Sequence, residues 1–225
     1  LKLNQYVIYP YDLITGEVIP ESVLKVSHPQ VYSYLCDSRE KLKGRPYFDK
    51  SSKLWYELWC PRTPQLFTSK KIIGPEITNG GNFTISNETF FINNKLKSLV
   101  LKETINEKIE YILGVINSRL LVFLHQIIAP PKGNNYFEVK TAIVGKLPIK
   151  SINFDDNQER DAHDQIVISV NQILNTQKDF RTAKSDSDIA MYKQTISMLD
   201  KKIDTLVYNL YGLTDEEIRI IESGS

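Results

Sequence analysis

The hydrophobic pattern is densest between Tyr111 and Ile127, where Ile112, Val115, Ile116, Leu120, Phe123, Leu124 and Ile127 recur at helical spacing with further apolar residues between them. The spacing predicts a helix buried on most of its circumference. Ala129-Pro130-Pro131 ends it, because proline lacks an amide donor and holds the residue before it out of helical dihedrals. Lys132-Gly133-Asn134-Asn135 reads as a polar turn leading into a short strand, Tyr136 to Val139, and then the apolar run Ile143 to Ile149.

Upstream the pattern is that of short elements. Gln5 to Tyr9 alternates like a strand. Ser27 as N-cap with Pro29 in the first turn predicts a helix through Val31, Tyr34, Leu35 and Leu42, with His28 a surface residue of the cap region. Leu54 to Leu58 reads as a strand, with Trp55, Tyr56 and Trp59 as core aromatics. Lys70 to Ile73 reads as another, ended by Gly74-Pro75. Asn79-Gly80 is the strongest hairpin signal, flanked by strands at Phe83 to Ile85 and Thr89 to Ile92.

After Asn153 the period changes. Ile189, Tyr192, Ile196, Leu199, Ile203, Leu206 and Leu210 alternate spacings of three and four, and Ile166, Val170, Ile173 and Phe180 approximate the same seam upstream. These segments predict an antiparallel helical pair connected at Lys184 to Ser187; Gly212 terminates the second helix, and Thr214 with Glu217 forms a capping box for a last short one. The fold class expected is α+β: a mixed twisted β-sheet with a buried core helix, followed by a C-terminal antiparallel helical hairpin. Residues 1–152 are read as one domain and 153–222 as a helical arm. The start at Leu1 and the end in Ser223-Gly224-Ser225 read as an excised piece of a longer protein with a cloning scar at 223–225.

Composition adds bounds. A 225-residue chain that is 41% hydrophobic can bury a substantial core, and no apolar run reaches the roughly 20 residues of a membrane span, so a soluble protein without a membrane partner is expected. Cys36 and Cys60 lie far apart in no metal-ligating pattern and are read as buried free thiols. Net charge is only +1, but Lys41 to Lys71 holds eight basic residues against two acidic, whereas Asn153 to Ser225 holds eight against fourteen. The first region would attract phosphates and the second would repel them, unless the asymmetry is merely that of a solvated surface.

Catalytic signatures are weak. Glu138-Val139-Lys140 matches the ExK element of metal-dependent nucleases, but no aspartate lies between Asp49 and Asp155 to complete a metal shell, and Glu76 is the one tolerable substitute. Ala129-Pro130-Pro131-Lys132 lacks both the polar and the aromatic residue of an adenine methyltransferase tetrapeptide. No glycine-rich cofactor loop is present, and His28, His125 and His163 are too dispersed for a histidine site, with His125 read as a satisfied core residue.

The helix reading YILGVINSRLL, the loop ending in the aromatic pair Tyr136-Phe137 and the closing Leu147-Pro148-Ile149 resemble the TaqI-like C-terminal specificity domain of adenine-specific DNA methyltransferases and fused restriction-modification enzymes. Trp55-Tyr-Glu-Leu with Pro61-Arg62, and Lys70-Lys-Ile-Ile-Gly-Pro-Glu-Ile, are similar to earlier blocks of that family, and Ile203 to Glu217 is similar to its usual end, so the resemblance runs from about Lys41 onward. It implies a prokaryotic, cytoplasmic DNA target-recognition domain, inert by itself. Its partners would be double-stranded DNA and a methyltransferase catalytic domain, in the same or an associated chain, where S-adenosylmethionine binds; no cofactor is expected in this chain.

Residues suited to base edges or phosphates are Arg45, Lys50 and Lys53 in one loop and Arg62, Lys70 and Lys71 around a second. Asn79 and Asn82 in the hairpin, and Lys132, Asn134 and Asn135 after the core helix, complete the set. The alternative is a protein-interaction module that docks through its helical pair.

Overall fold

The computed structural model describes residues 6–46, 48, 50–93 and 95–224. The chain divides into two compact units, the first formed by 1–69 with 88–91 and the second by 70–87 with 92–225.

The first unit contains α1 (Glu21–Ser27), α2 (Pro29–Asp37), α3 (Arg39–Lys43) and α4 (Gln65–Thr68). Leu24, Leu35, Trp55 and Tyr56 form its core, and Tyr9, Tyr11, Phe67 and Phe91 make a second aromatic cluster with neighbouring ring centroids 4.4–5.7 Å apart. The helix expected from Ser27 to Leu42 is split. His28 rather than Ser27 is the cap residue before Pro29, and Ser38 separates α2 from α3. Leu54 to Leu58 is a turn, not a strand; Tyr56 donates its hydroxyl to Ile19 O at 2.7 Å, so its side chain is anchored by packing and one bond without a ladder. No strand forms at Tyr6 to Tyr9, and Gln5 lies outside the described residues. Trp59 and Cys60 are exposed rather than buried, while Cys36 is partly covered.

The second unit contains β1 (Lys71–Pro75), β2 (Ile77–Thr78), β3 (Thr84–Ser86), β4 (Leu96–Leu99) and β5 (Phe137–Glu138). Its helices are α5 (Ile109–Asn117), α6 (Arg119–Ile128), α7 (Thr141–Val144), α8 (Asn157–Thr182), α9 (Asp186–Leu210) and α10 (Asp215–Ser223). The α+β class holds, with the sheet realised as two small antiparallel ladders, β3-β1-β4 and β2-β5. Strand β1 runs through Gly74-Pro75, where a Cβ on Gly74 would stand 2.3 Å from the Phe83 ring. Thr89 to Ile92 forms no strand, and β3 pairs with β1 instead.

The core helix is two helices. Their axes turn by 63° at Ser118, whose hydroxyl donates to Val115 O at 2.7 Å and accepts from Leu121 N at 3.4 Å, capping α6 in an extended conformation. Apolar periodicity runs through the break because both helices bury residues on either side of it, so the pattern alone could not reveal the bend. Helix α6 ends at Ile128 with Ala129 extended before the two prolines, as the sequence predicts. No single helix among the described residues is long and apolar enough to cross a membrane, and in α5 every residue from Tyr111 to Ile116 is buried.

Helices α8 and α9 form the expected antiparallel pair, with Ile166, Val170, Ile203 and Val207 buried against α5. Gly114 is the closest point of the α5–α8 crossing: a Cβ there would stand 2.6 Å from Ile166 Cγ2 and 3.1 Å from Val170 Cγ2. Gly212, at φ +64°, ends α9, and the Thr214–Glu217 capping box opens α10.

Candidate functional site

The β2–β5 ladder sets the geometry. Ile77 pairs with Glu138 and Thr78 with Phe137, antiparallel. The chain therefore leaves β2 into Asn79 at the same end at which it enters β5 from Tyr136. Register alone thus brings the 79–82 turn and the 132–136 loop side by side.

Each segment is fixed internally. In the turn, Thr78 Oγ1 donates to Gly80 O at 2.6 Å and accepts from Asn82 Nδ2 at 2.9 Å. Asn79-Gly80 does not form the two-residue hairpin expected, since neither residue has positive φ and the flanking strands pair elsewhere. The turn lies instead against the end of α5. A Cβ on Gly81 would be 2.5 Å from Asn117 O, and the Asn117 amide holds Phe83 N and Phe83 O at 3.0 Å each, like one rung of a ladder. In the loop, Lys132 N donates to Tyr136 O at 2.7 Å while Gly133, Asn134 and Asn135 take φ of 84°, 48° and 59°. Asparagine tolerates this left-handed region better than other side-chain-bearing residues, which accounts for the Gly-Asn-Asn sequence.

Helix α6 holds both segments through adjacent residues. His125, 7% exposed, donates Nε2–H to Glu138 O at 3.2 Å, and Gln126 Nε2 donates to Asn79 O at 3.4 Å. Burial lowers the His125 pKa, against the raising effect of its hydrogen bond to Glu138 O, and so favours the neutral ring. His125 is thus the satisfied core residue expected. Asn79, Asn82, Lys132, Asn134, Asn135 and Tyr136 remain exposed at the ladder end, a cluster of amide donors and acceptors on restrained backbone.

The cations fare differently. Arg45, partly buried, donates Nε to Leu42 O at 2.7 Å and Nη2 to Trp55 O at 3.0 Å and Glu57 O at 3.2 Å, so its guanidinium ties together the loop in which it was expected to read DNA. Lys71 has no exposed surface on the central strand β1, which removes it from any contact with an external ligand. Lys53 pairs with Glu57 at 3.4 Å, Lys70 with Glu110 at 2.6 Å and Lys132 with Glu138 at 3.6 Å. Arg62 is partly buried and engaged within the protein. Lys50 is exposed.

The ExK element is an ion-pair cluster here. Glu138 lies between Lys140 at 2.9 Å and Lys132 at 3.6 Å, and the hydrogen bond from Lys140 holds its carboxyl below the usual range. Glu76 is bridged by Lys95 at 3.1 Å and Lys97 at 3.7 Å. Among the described residues no group of three His, Cys, Asp or Glu side chains converges. The strand-to-helix connections, Val100 to Lys108 and Val139-Lys140, contain no glycine.

Sequence reasoning missed Gln126, Asn117 and Thr78, which position the turn. Asn117-Ser118 carried a signal, since a serine with an asparagine before it inside an apolar helix suits a cap better than a helix interior.

The family model of the TaqI-like C-terminal specificity domain matches residues 13–149. The match begins at Leu13 rather than Lys41 and ends at Ile149, short of the tail from Ile203. A type II methyltransferase, M.BanIII, of Aneurinibacillus aneurinilyticus is 29% identical over 125 residues, covering 55% of this chain and 21% of the relative. A type II restriction enzyme and methyltransferase, RM.Eco57I, of Escherichia coli is 23% identical over 235 aligned positions, covering 97% of this chain and 23% of the relative. The chain spans less than a quarter of the length of either.

Proposed function

The chain belongs to the TaqI-like C-terminal specificity domain family, and on that premise we propose that it reads the DNA target of an adenine-N6 methyltransferase or restriction-modification enzyme. The observation that carries the reading is the convergence of the Asn79–Asn82 turn and the Lys132–Tyr136 loop at one end of the β2–β5 ladder. Asparagine amides can bond bidentately to the N6 and N7 edge of adenine, and a fixed backbone makes such contacts selective. Lys132 has Glu138 as an internal competitor, and a phosphate would have to displace that pair.

Methyl transfer, and the S-adenosylmethionine it consumes, belong in this reading to a catalytic region outside this chain, in a cytoplasmic prokaryotic enzyme. A recognition domain over residues 1–152 followed by a helical arm over 153–222 is part of the same proposal. Protein docking through the helical pair is a second reading favoured by Met191 and Met198, which are 52% and 64% exposed on one face of α9. The buried half of the pair is already engaged with α5, so that reading rests on the distal half alone.

Selection from a randomised duplex DNA pool tests the proposal. The chain should enrich one sequence, and the Asn79→Ala/Asn134→Ala/Asn135→Ala variant should keep salt-sensitive binding while losing the enrichment. A parent chain that enriches no sequence and binds DNA without salt dependence refutes it.

A further inference from the structure

By sequence the region after Asn153 is acidic, yet the fold distributes that charge unevenly. Asp155, Asp156, Glu159, Asp161 and Asp164 cluster where α8 begins, and Asp215, Glu216 and Glu217 open α10. The end of α8 and the connection after it carry Lys178, Arg181 and Lys184, all exposed, with Asp179 among them and Asp186 and Asp188 following in the first turn of α9. Lys178 and Arg181 are three apart and share a side of the helix.

Arg181 and Gln177 line an open cleft of about 280 Å³ together with the stretch from Gly81 to Thr84, the outgoing limb of the polar turn. In the same lining Asn82 has its amide nitrogen engaged by Thr78, and Asn117 has both amide atoms engaged by Phe83. Arg181 makes no ion pair among the described residues, in contrast to Lys53, Lys70 and Lys132. Asp200 is the one carboxylate among the residues that line the cleft.

A guanidinium with uncommitted donors beside a neutral amide matches a phosphate, whose oxygens accept several N–H bonds in a planar fork. We propose that the end of α8, through Arg181 and Gln177, holds the phosphodiester backbone of duplex DNA beside the Asn82 turn, so that the helical pair takes part in DNA binding. The inference rests on the reading that this turn faces DNA. It goes beyond that reading because it gives the arm a direct contact with the nucleic acid. A cation in the last turn of a helix also favours the helix dipole, but that effect acts on folding and leaves DNA affinity untouched.

The test is fluorescence anisotropy with a labelled duplex between about 50 and 200 mM salt, on the parent chain, Arg181→Gln, Arg181→Lys, Asn134→Ala and, on α9 away from the cleft, Lys193→Gln. Arg181→Gln should weaken binding by the same factor on every duplex sequence and reduce the slope of log K against log salt by about one unit. Arg181→Lys should restore the slope, and Lys193→Gln should leave both quantities at the parent value. If Arg181→Gln matches the parent in affinity and slope while Asn134→Ala loses selectivity, the arm does not touch DNA although the turn and loop do. If the parent itself does not bind duplex DNA, the functional reading fails and this inference with it.

Discussion

Asp204 makes stability depend on pH in a direction opposite to most carboxylates. It lies on α9 with 9% of its surface exposed, accepts the backbone N–H of Arg119 at 2.9 Å through Oδ1, and faces Arg119 Nε at 3.7 Å through Oδ2. Burial raises its pKa from 3.8 to about 6, against the lowering effects of that hydrogen bond and of the Arg119 charge. The folded protein thus binds this proton more tightly than the unfolded chain. The resulting stabilisation is complete below the unfolded pKa and disappears as pH rises through the folded one. A shift of roughly two units at about 1.4 kcal/mol each sets the span near 3 kcal/mol, to order of magnitude. Asp204→Asn keeps an acceptor for Arg119 N–H and stays neutral throughout. Relative to the parent it should be equal near pH 3 and more stable by about 1–3 kcal/mol at pH 7.5. Urea unfolding at four pH values between these limits measures the difference, with other titrating groups cancelling between the two proteins. A variant less stable than the parent at pH 7.5 would mean that the charged carboxylate at the start of α6 is net favourable and that burial does not dominate.

Two further outcomes follow from close packing and internal bonding. Gly114→Ala places a methyl 2.6 Å from Ile166 Cγ2, on a β-branched side chain with little room to rotate, and should cost about 1–3 kcal/mol in urea unfolding despite the better helix propensity of alanine; an unchanged or raised midpoint would show that α5 and α8 separate freely. Arg45→Ala leaves three carbonyls of the 42–57 loop without their donor and should destabilise the first unit by about 1–3 kcal/mol. Its loss of DNA affinity should be no greater than its loss of folded protein, and a specific affinity loss in fully folded protein would return Arg45 to the DNA contacts.

What could be read from the sequence was what depends on local chemistry. The stop at Ala129, the polar turn at Lys132 to Asn135, the α8–α9 pair and the Thr214 capping box each follow from the local pattern of the chain. The bend at Ser118 was hidden because both helices are apolar around it. Asn79-Gly80 misled because the hairpin rule assumes that the strands on either side pair with each other, whereas β2 pairs with β5, nearly 60 positions downstream. Non-local pairing of this kind leaves no mark in the short-range pattern, and it is also what brings the two polar segments together.

Charge was the least legible quantity, for a physical reason. A count of Lys and Arg measures formal charge, while a phosphate responds to cations that are exposed and uncommitted. Of the eight basic residues between Lys41 and Lys71, Lys71 is buried, Arg45 and Arg62 are engaged within the protein, and Lys53 and Lys70 sit in ion pairs at 3.4 and 2.6 Å. Lys41, Lys43 and Lys50 remain exposed, with Lys43 loosely paired to Glu40 at 3.9 Å. Conversely, the nominally acidic arm presents, beside the polar turn, an arginine that makes no ion pair among the described residues. In the proposed reading selectivity comes from the amide geometry of the turn and loop, which is where the His125 and Gln126 bonds, the Asn117 clamp and the Gly81 close approach are concentrated.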